Sequence, residues 1–252
     1  MAKKSPLTMG LYIDGHDISG DVGAINQIAS PRSVQEVPNL AASSMARLLT
    51  LSDGSLGFLS YFDDGTELSH NALSGLPTTN VVALLALGSA IGDACAIIQG
   101  KQINYDPSRA QDGSLTIDTQ VLSSGVSIEW GEMLTAFQDT FASAGSASSK
   151  DDGASSASGL AGVLEIVDIA SGTPTVVLED SPNDSSWSTL ISFTAVASGN
   201  EPSAERKTVT GTVNRYLRLT TTGTFSNLDM TFGYRRGAVS YTHLTLPTKR
   251  IV

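Results

Sequence analysis

A single cysteine, Cys95, is present in 252 residues, so no disulfide can form within the chain and the redox compartment is left open. Histidine is almost as scarce: there are three, and His243 falls in an anomalous C-terminal stretch. Nucleophilic catalysis of the Ser-His-Asp or Cys-His kind needs an imidazole beside the nucleophile, and no Gly-x-Ser-x-Gly elbow frames any serine. A zinc site is equally poorly supplied, since Cys95 has no partner at ligand spacing. No apolar run reaches the roughly 18 residues of a membrane-spanning helix, and no long apolar segment follows the two lysines of Met1 to Gly10. The expectation is a soluble protein made in the cytoplasm, with no membrane partner. Basic residues are few, 15 Lys and Arg against 25 Asp and Glu, and a formal charge of −10 argues against a groove that binds nucleic-acid phosphates.

What the chain does contain is turn chemistry between short alternating runs. Two stretches, Arg47 to Phe62 around Asp53-Gly54 and Gln102 to Leu122 around Asp112-Gly113, read as β-hairpins, because Asp-Gly supplies the positive φ of a tight turn. Leu11 to Val22 repeats the scheme on a smaller scale around Asp14-Gly15. Ala24 to Ala46 is irregular and holds Pro31 and Pro38, so it reads as a long loop or arm. In Ser55 to Phe62 the side chains of Leu56, Phe58 and Phe62 share one face, and burying them is worth about 1.5 to 3 kcal/mol each before entropy costs. Thr66 to Leu76 is the best helix candidate. Val81 to Leu87 and Ala94 to Ile98 are unbroken apolar runs of strand length, joined by Gly88 to Gly92. Leu115, Ile117, Thr119 and Val121 alternate with polar neighbours, and Val126, Ile128 and Trp130 are read the same way.

Between Ala142 and Gly162 nearly every residue is Ser, Ala, Gly, Asp or Lys, which buries little and reads as a linker or exposed loop. Strands resume over Val163 to Ile169, Thr173 to Glu179, Trp187 to Ala197, Lys207 to Thr212, Val213 to Thr221 and Leu228 to Tyr234. Their regular spacing predicts a β-sandwich, jelly-roll or Ig-like. The clearest is the last, with Leu228, Met230, Phe232 and Tyr234 on one face. The fold class expected is therefore all-β, organised as a β domain over 1–135, a linker over 136–162 and a β-sandwich over 163–238. The last fourteen residues, 239–252, break the pattern; read back into codons they resemble a tagmentation transposon end running into a library index. They are expected to be non-native, leaving the true C-terminus unknown.

Residues with chemical potential mostly have plainer uses. Cys95 lies in an apolar run and is expected to be a buried thiol, while His16 and His70 fit surface or capping roles. Asp63-Asp64-Gly65 and Asp151-Asp152-Gly153 lack the spaced oxygens of a calcium loop and fit turns. Gly88 to Asp93 has no nucleotide-binding context. Trp187 and Tyr216 are candidates for stacking on a pyranose face, against the alternative that such aromatics fill a sandwich core. No catalytic centre, cofactor or metal is expected.

Several segments taken together resemble the phage tail tube, or major tail, protein family. They are Tyr12-Ile13-Asp14-Gly15-His16-Asp17-Ile18-Ser19-Gly20-Asp21-Val22, Asp53-Gly54-Ser55-Leu56-Gly57-Phe58-Leu59-Ser60-Tyr61-Phe62-Asp63, Lys101-Gln102-Ile103-Asn104-Tyr105-Asp106 leading to Asp112-Gly113-Ser114-Leu115, and Ile128-Glu129-Trp130-Gly131. The likeness covers about residues 8 to 135; the remainder resembles, in general pattern only, sandwich modules appended to tail proteins. What the resemblance implies is a non-enzymatic virion subunit with a β-barrel or sandwich and one short helix. Copies would join into homo-hexameric rings, stacked around a channel whose acidic lining lets DNA pass without specific binding. Ala24 to Ala46 is then the candidate arm to the adjacent ring. Other tail proteins would be partners, a host-surface glycan is a candidate ligand of the outer domain, and the location would be the virion tail after assembly in the host cytoplasm. Head decoration, a baseplate role and a carbohydrate-binding β-sandwich protein stand as alternatives.

Overall fold

Residues 9–37 and 44–237 are described by a computed structural model; the stretch read as adapter sequence and the middle of the arm, 38–43, lie outside them. The chain is all-β with one short helix. Its first half runs β1 (Gly10–Ile13), β2 (His16–Asp17), β3 (Val22–Ala29), β4 (Arg32–Glu36), β5 (Arg47–Ser52), β6 (Ser55–Tyr61), α1 (Ser69–Leu73), β7 (Val81–Ala86), β8 (Ala94–Gln102), β9 (Asp106–Arg109), β10 (Leu115–Ser123) and β11 (Glu129–Met133). Three short strands follow, β12 (Asp139–Phe141), β13 (Gly145–Ser146) and β14 (Lys150–Asp151). The second half contributes β15 (Leu160–Gly172), β16 (Thr175–Ser181), β17 (Ser188–Ser192), β18 (Ser203–Val209), β19 (Tyr216–Thr222) and β20 (Phe225–Arg236).

One large sheet passes through both halves in the order β18-β15-β20-β11-β8-β10-β6-β3, with β7 and β1 added beside β8. No closed barrel forms. A second sheet, β19-β16-β17 with β13 and β14 on the free side of β19, packs against β15 and β20. Leu178, Leu217 and Leu219 from that sheet meet Ile166, Met230 and Phe232 from the large one, and Phe193 sets its ring edge-on to Phe232 at 5.6 Å. A separate core under the curled first half gathers Ile13, Phe58, Leu73, Leu85 and Ile98. Between the two lies a third cluster, Tyr12, Leu84, Cys95, Ile97, Met133 and Val163, to which both halves contribute. Residues of β20 are therefore buried on both faces: Phe232 points to the sandwich core, while a Cβ at Gly233 would sit 2.6 Å from Leu84 and 3.1 Å from Cys95.

Local sequence accounts for most of these elements. Asp14 and Gly15 take φ of 51° and 89° to turn β1 into β2, and Gly113, at 94°, turns β9 into β10. The expected hairpin at Asp53-Gly54 does not form. β5 pairs with β4, β6 pairs with β3 and β10, and the dipeptide instead carries the chain from one sheet to another. Glycine is needed there for close approach: a Cβ at Gly54 would lie 2.8 Å from the Ile128 amide nitrogen. The helix is shorter than Thr66 to Leu76 because Glu67 and Leu76 both adopt positive φ, 65° and 40°, while the Ser69 amide donates to the Asp21 carboxylate at 3.0 Å. Residues 136–162, expected as a linker or exposed loop, supply the three short strands; small side chains suffice because backbone pairing to β19 and β20 holds them. Trp130 also departs from expectation. It is 51% exposed, while its neighbour Glu129 is only 2% exposed, so the strand turns its charged residue inward.

The β1–β2 turn is pressed into the second half. A Cβ on Gly15 would stand 2.2 Å from the Ser203 amide nitrogen and 2.6 Å from the Ile166 carbonyl oxygen, at a φ that disfavours any side chain. Gly15→Ala is expected to cost about 2 to 3 kcal/mol and lower the thermal midpoint accordingly. An unchanged midpoint would mean the turn is free to move away from β15.

Candidate functional site

Among the described residues the largest concentration of exposed apolar side chains runs from the arm, Ala24 to Ala46, into β5 beyond it. β4 and β5 form a two-stranded sheet of their own, with Val34 opposite Leu49 and Glu36 opposite Arg47. Val34, Met45, Leu48, Leu49 and Leu51 are all more than half exposed, Leu51 at 77%. A lone ribbon of two strands is marginal in water, and apolar residues on both its faces cannot all be covered by the ribbon itself. Its polar ties are slight: an Arg47–Glu36 ion pair at 3.5 Å between exposed side chains, and a bond from the Thr50 hydroxyl to the Ser33 carbonyl at 3.0 Å. Beside it, β3 is paired on one side by β6, and a groove of about 610 Å³ lined by Leu11, Val22, Ile25, Ile28 and Leu85 runs along it.

Trp187 and Tyr216, the candidates for sugar stacking, lie around the second sheet and are half-buried. Each carries a guanidinium against its ring: Arg218 at 4.1 Å from the Trp187 centroid and Arg215 at 5.0 Å from that of Tyr216. Arg218 is held by Glu179 at 2.8 Å and Arg215 by both oxygens of Asp151. The indole face turned to Arg218 is therefore occupied by the protein's own cation.

Buried polar groups gather where the halves meet, which strand alternation alone did not reveal. The Glu129 carboxylate on β11 receives Nε and Nη2 of Arg206 on β18 at 2.8 and 2.7 Å, and both side chains are nearly inaccessible. Arg235 stands 4.0 Å from its other oxygen. On β15, Glu165 is fully buried; its Oε2 accepts the Gly15 amide at 2.7 Å and its Oε1 has no partner among the described residues. Burial pushes its pKa well above the usual carboxylate range, and the neighbouring Asp14 pushes it further. Tyr12, on the same seam, is pushed up to about 12, first by burial and then by Asp17. Cys95 is buried, and its thiol is also raised to about 12, chiefly by burial. The histidines serve locally: His70 Nδ1 lies 2.6 Å from the Tyr105 hydroxyl, and His16 Nδ1 lies 3.2 Å from the Glu67 carbonyl.

A polar cleft of about 510 Å³ is lined by β11, β14 and β20. Asp152 is its anchor, accepting from the Tyr234 hydroxyl at 2.7 Å, from Arg236 Nε at 2.5 Å and from Lys150. Lys150 also reaches Glu132 at 2.6 Å. Burial opposes ionisation of Asp152, but these donors outweigh it and hold the carboxyl below its ordinary range. Asp151 does play the expected turn role, accepting from the Gly153 amide at 2.7 Å, and Asp63 does likewise with Gly65 at 2.8 Å. Among the described residues no three His, Cys, Asp or Glu side chains stand together in a way that could hold a metal ion, and no helix is long and apolar enough to cross a membrane.

No family model matches the chain, and no curated protein matches it significantly. Among solved structures it has a slight likeness to the SPP1 Dit protein, described as a paradigm of the hub adsorption apparatus in phages infecting Gram-positive bacteria. Identity is 9%, over 90% of this chain and 97% of that one, with a TM-score of 0.32. A chain of the phage p2 baseplate, in its activated conformation with Sr, gives 9% identity over 92% of this chain and 99% of that one, with a TM-score of 0.31. At that identity and score, neither likeness assigns this chain a fold or a role.

Proposed function

We propose that the chain is a structural subunit of a bacteriophage tail, working by self-association and not by catalysis. The observation that carries this reading is the β4–β5 ribbon, whose exposed Val34, Leu48, Leu49 and Leu51, with Met45 just before β5, need a partner surface that the described residues of the same copy do not supply. The tail-tube-like segments between residues 8 and 135 support the same reading, in which copies form stacked, homo-hexameric rings around a DNA channel. The ribbon then reaches the adjacent ring, and residues 163–238 lie on the outside, next to other tail proteins. An excess of acidic over basic residues suits a channel from which DNA must slide freely.

Full-length protein examined by negative-stain microscopy and sedimentation is expected to form rings or tubes. The double variant Leu49→Ser with Leu51→Ser is expected to remain monomeric with an unchanged circular dichroism spectrum, because both side chains are exposed in the single copy. A wild-type protein that stays monomeric at high concentration, or a variant that assembles as well as wild type, overturns the proposal. Isolated rings that never stack would redirect it to a baseplate position.

A further inference from the structure

We propose that the cleft between Trp130 and Arg235 binds a neutral saccharide. This does not rest on the tail reading, and neither Trp187 nor Tyr216 lines the cleft. Six charged side chains line the cleft, with Glu132, Asp151 and Asp152 balanced by Lys150, Arg235 and Arg236, so the lining offers a charged ligand no net attraction. Trp130 forms one wall with its ring half exposed. Among the described residues nothing accepts from its indole N–H, and no cation lies over its face, unlike Trp187 beneath Arg218.

A pyranose offers what such a site lacks: an apolar C–H face for the indole, and a rim of hydroxyls that both donate and accept. Glu132 uses Oε2 for Lys150, which leaves Oε1 as an acceptor, and among the described residues the one ion contact of Arg235 is the 4.0 Å approach to Glu129, which leaves its guanidinium as a donor. The floor is already rigid. Asp152 is fixed by three donors, and Arg236 also donates to the Asn214 carbonyl at 2.6 Å, so little side-chain freedom is lost on binding. β11 and β20 run in close contact beside the cleft, since a Cβ at Gly131 would lie 2.0 Å from the Tyr234 carbonyl oxygen.

The chain has two tryptophans, so Trp187→Phe leaves Trp130 as the only indole reporter. The full-length Trp187→Phe protein is titrated with methyl glucoside, methyl galactoside and N-acetylglucosamine while its emission is followed. A saturable change with a millimolar midpoint is expected for at least one sugar, and Glu132→Ala in the same background is expected to weaken it by about tenfold. Glu132 is half exposed and outside the buried pairs, so this variant is expected to keep the parent's thermal midpoint. No saturable change with any of the three sugars overturns the proposal, as does a midpoint that Glu132→Ala leaves unmoved. An emission change that follows protein concentration with no sugar present also overturns it, assigning the cleft to contact between copies.

Discussion

Replacing Arg206 by alanine is expected to lower the unfolding free energy by about 3 to 5 kcal/mol, among the largest effects of any single substitution in the chain. The loss is not the value of the ion pair itself. It is the cost of leaving the Glu129 carboxylate, 2% exposed, without either of its two short bonds inside a seam built from Leu84, Ile97, Met133 and Val163. Because β11 and β18 lie on opposite sides of β20 and β15 in the large sheet, the pair ties the first half to the second across two intervening strands. Removing both charges at once, as in Glu129→Leu with Arg206→Met, is expected to recover most of the loss, since no orphaned charge remains. Urea unfolding followed by tryptophan emission measures all three variants. A single substitution that costs no more than loss of the exposed Arg47–Glu36 pair, about 1 kcal/mol or less, would show that water reaches Glu129.

Where the sequence was legible, a local rule had no competitor. Asp14-Gly15 and Asp112-Gly113 turn because Asp-Gly makes positive φ cheap, and in both places an edge is open to the returning strand: β7 takes the other edge of β1, and β6 takes the other edge of β10. Asp53-Gly54 obeys the same rule in sequence and fails in structure, because β6 gains more from β3 and β10, whose side chains help to build the core around Phe58, than from β5. Tertiary pairing outweighed a turn signal. Leu228 to Tyr234 was readable for a similar reason: an alternating apolar face reports a half-buried strand, and this strand has that face whatever covers its other side. The second covering layer, which buries Thr231 and Gly233 as well, left a trace only as small residues in that position. Trp130 breaks with the run Val126, Ile128, Trp130 because Ile128, buried as the run predicts, precedes β11, and within β11 Glu129 and Met133 are the residues that face inward. The partner of the inward Glu129 is Arg206, 77 residues away, and no feature near Trp130 announces it. Of the residues that line the cleft, the sequence joined Asp151 and Asp152 as a turn, but Lys150, Tyr234 and Arg236 meet Asp152 only through sheet topology. Glu165 did leave a signal. It is the one charge in the run Leu160 to Val167, where every other residue is apolar or glycine.

That carboxyl is expected to give the protein a stability that declines on the alkaline side. The folded state holds the Glu165 proton more tightly than the unfolded chain does, because burial disfavours the anion and Asp14, itself raised by burial, adds repulsion. The folded state therefore carries the extra proton once the pH passes the unfolded value near 4.5. Stability from this group is complete below that value and is lost as the pH climbs toward the folded one, by up to about 1.4 kcal/mol per unit. Asp152 and Glu205 act in the opposite sense: burial works against each anion, but surrounding donors hold both pKa values down, so their contributions are lost as the pH falls. A domed profile is expected, with Glu165 shaping its upper side. Glu165→Gln keeps an acceptor for the Gly15 amide and has no proton to lose, so its urea midpoint should match wild type near pH 4.5 and exceed it increasingly toward pH 8. Amide exchange at Gly15 should report the same event locally, quickening with pH in wild type beyond the intrinsic rate and not in the variant. Parallel stability profiles for the two proteins would mean that Glu165 is ionised and solvated in the folded state, and that the turn at Asp14-Gly15 is not pressed against β15 as the 2.7 Å bond requires.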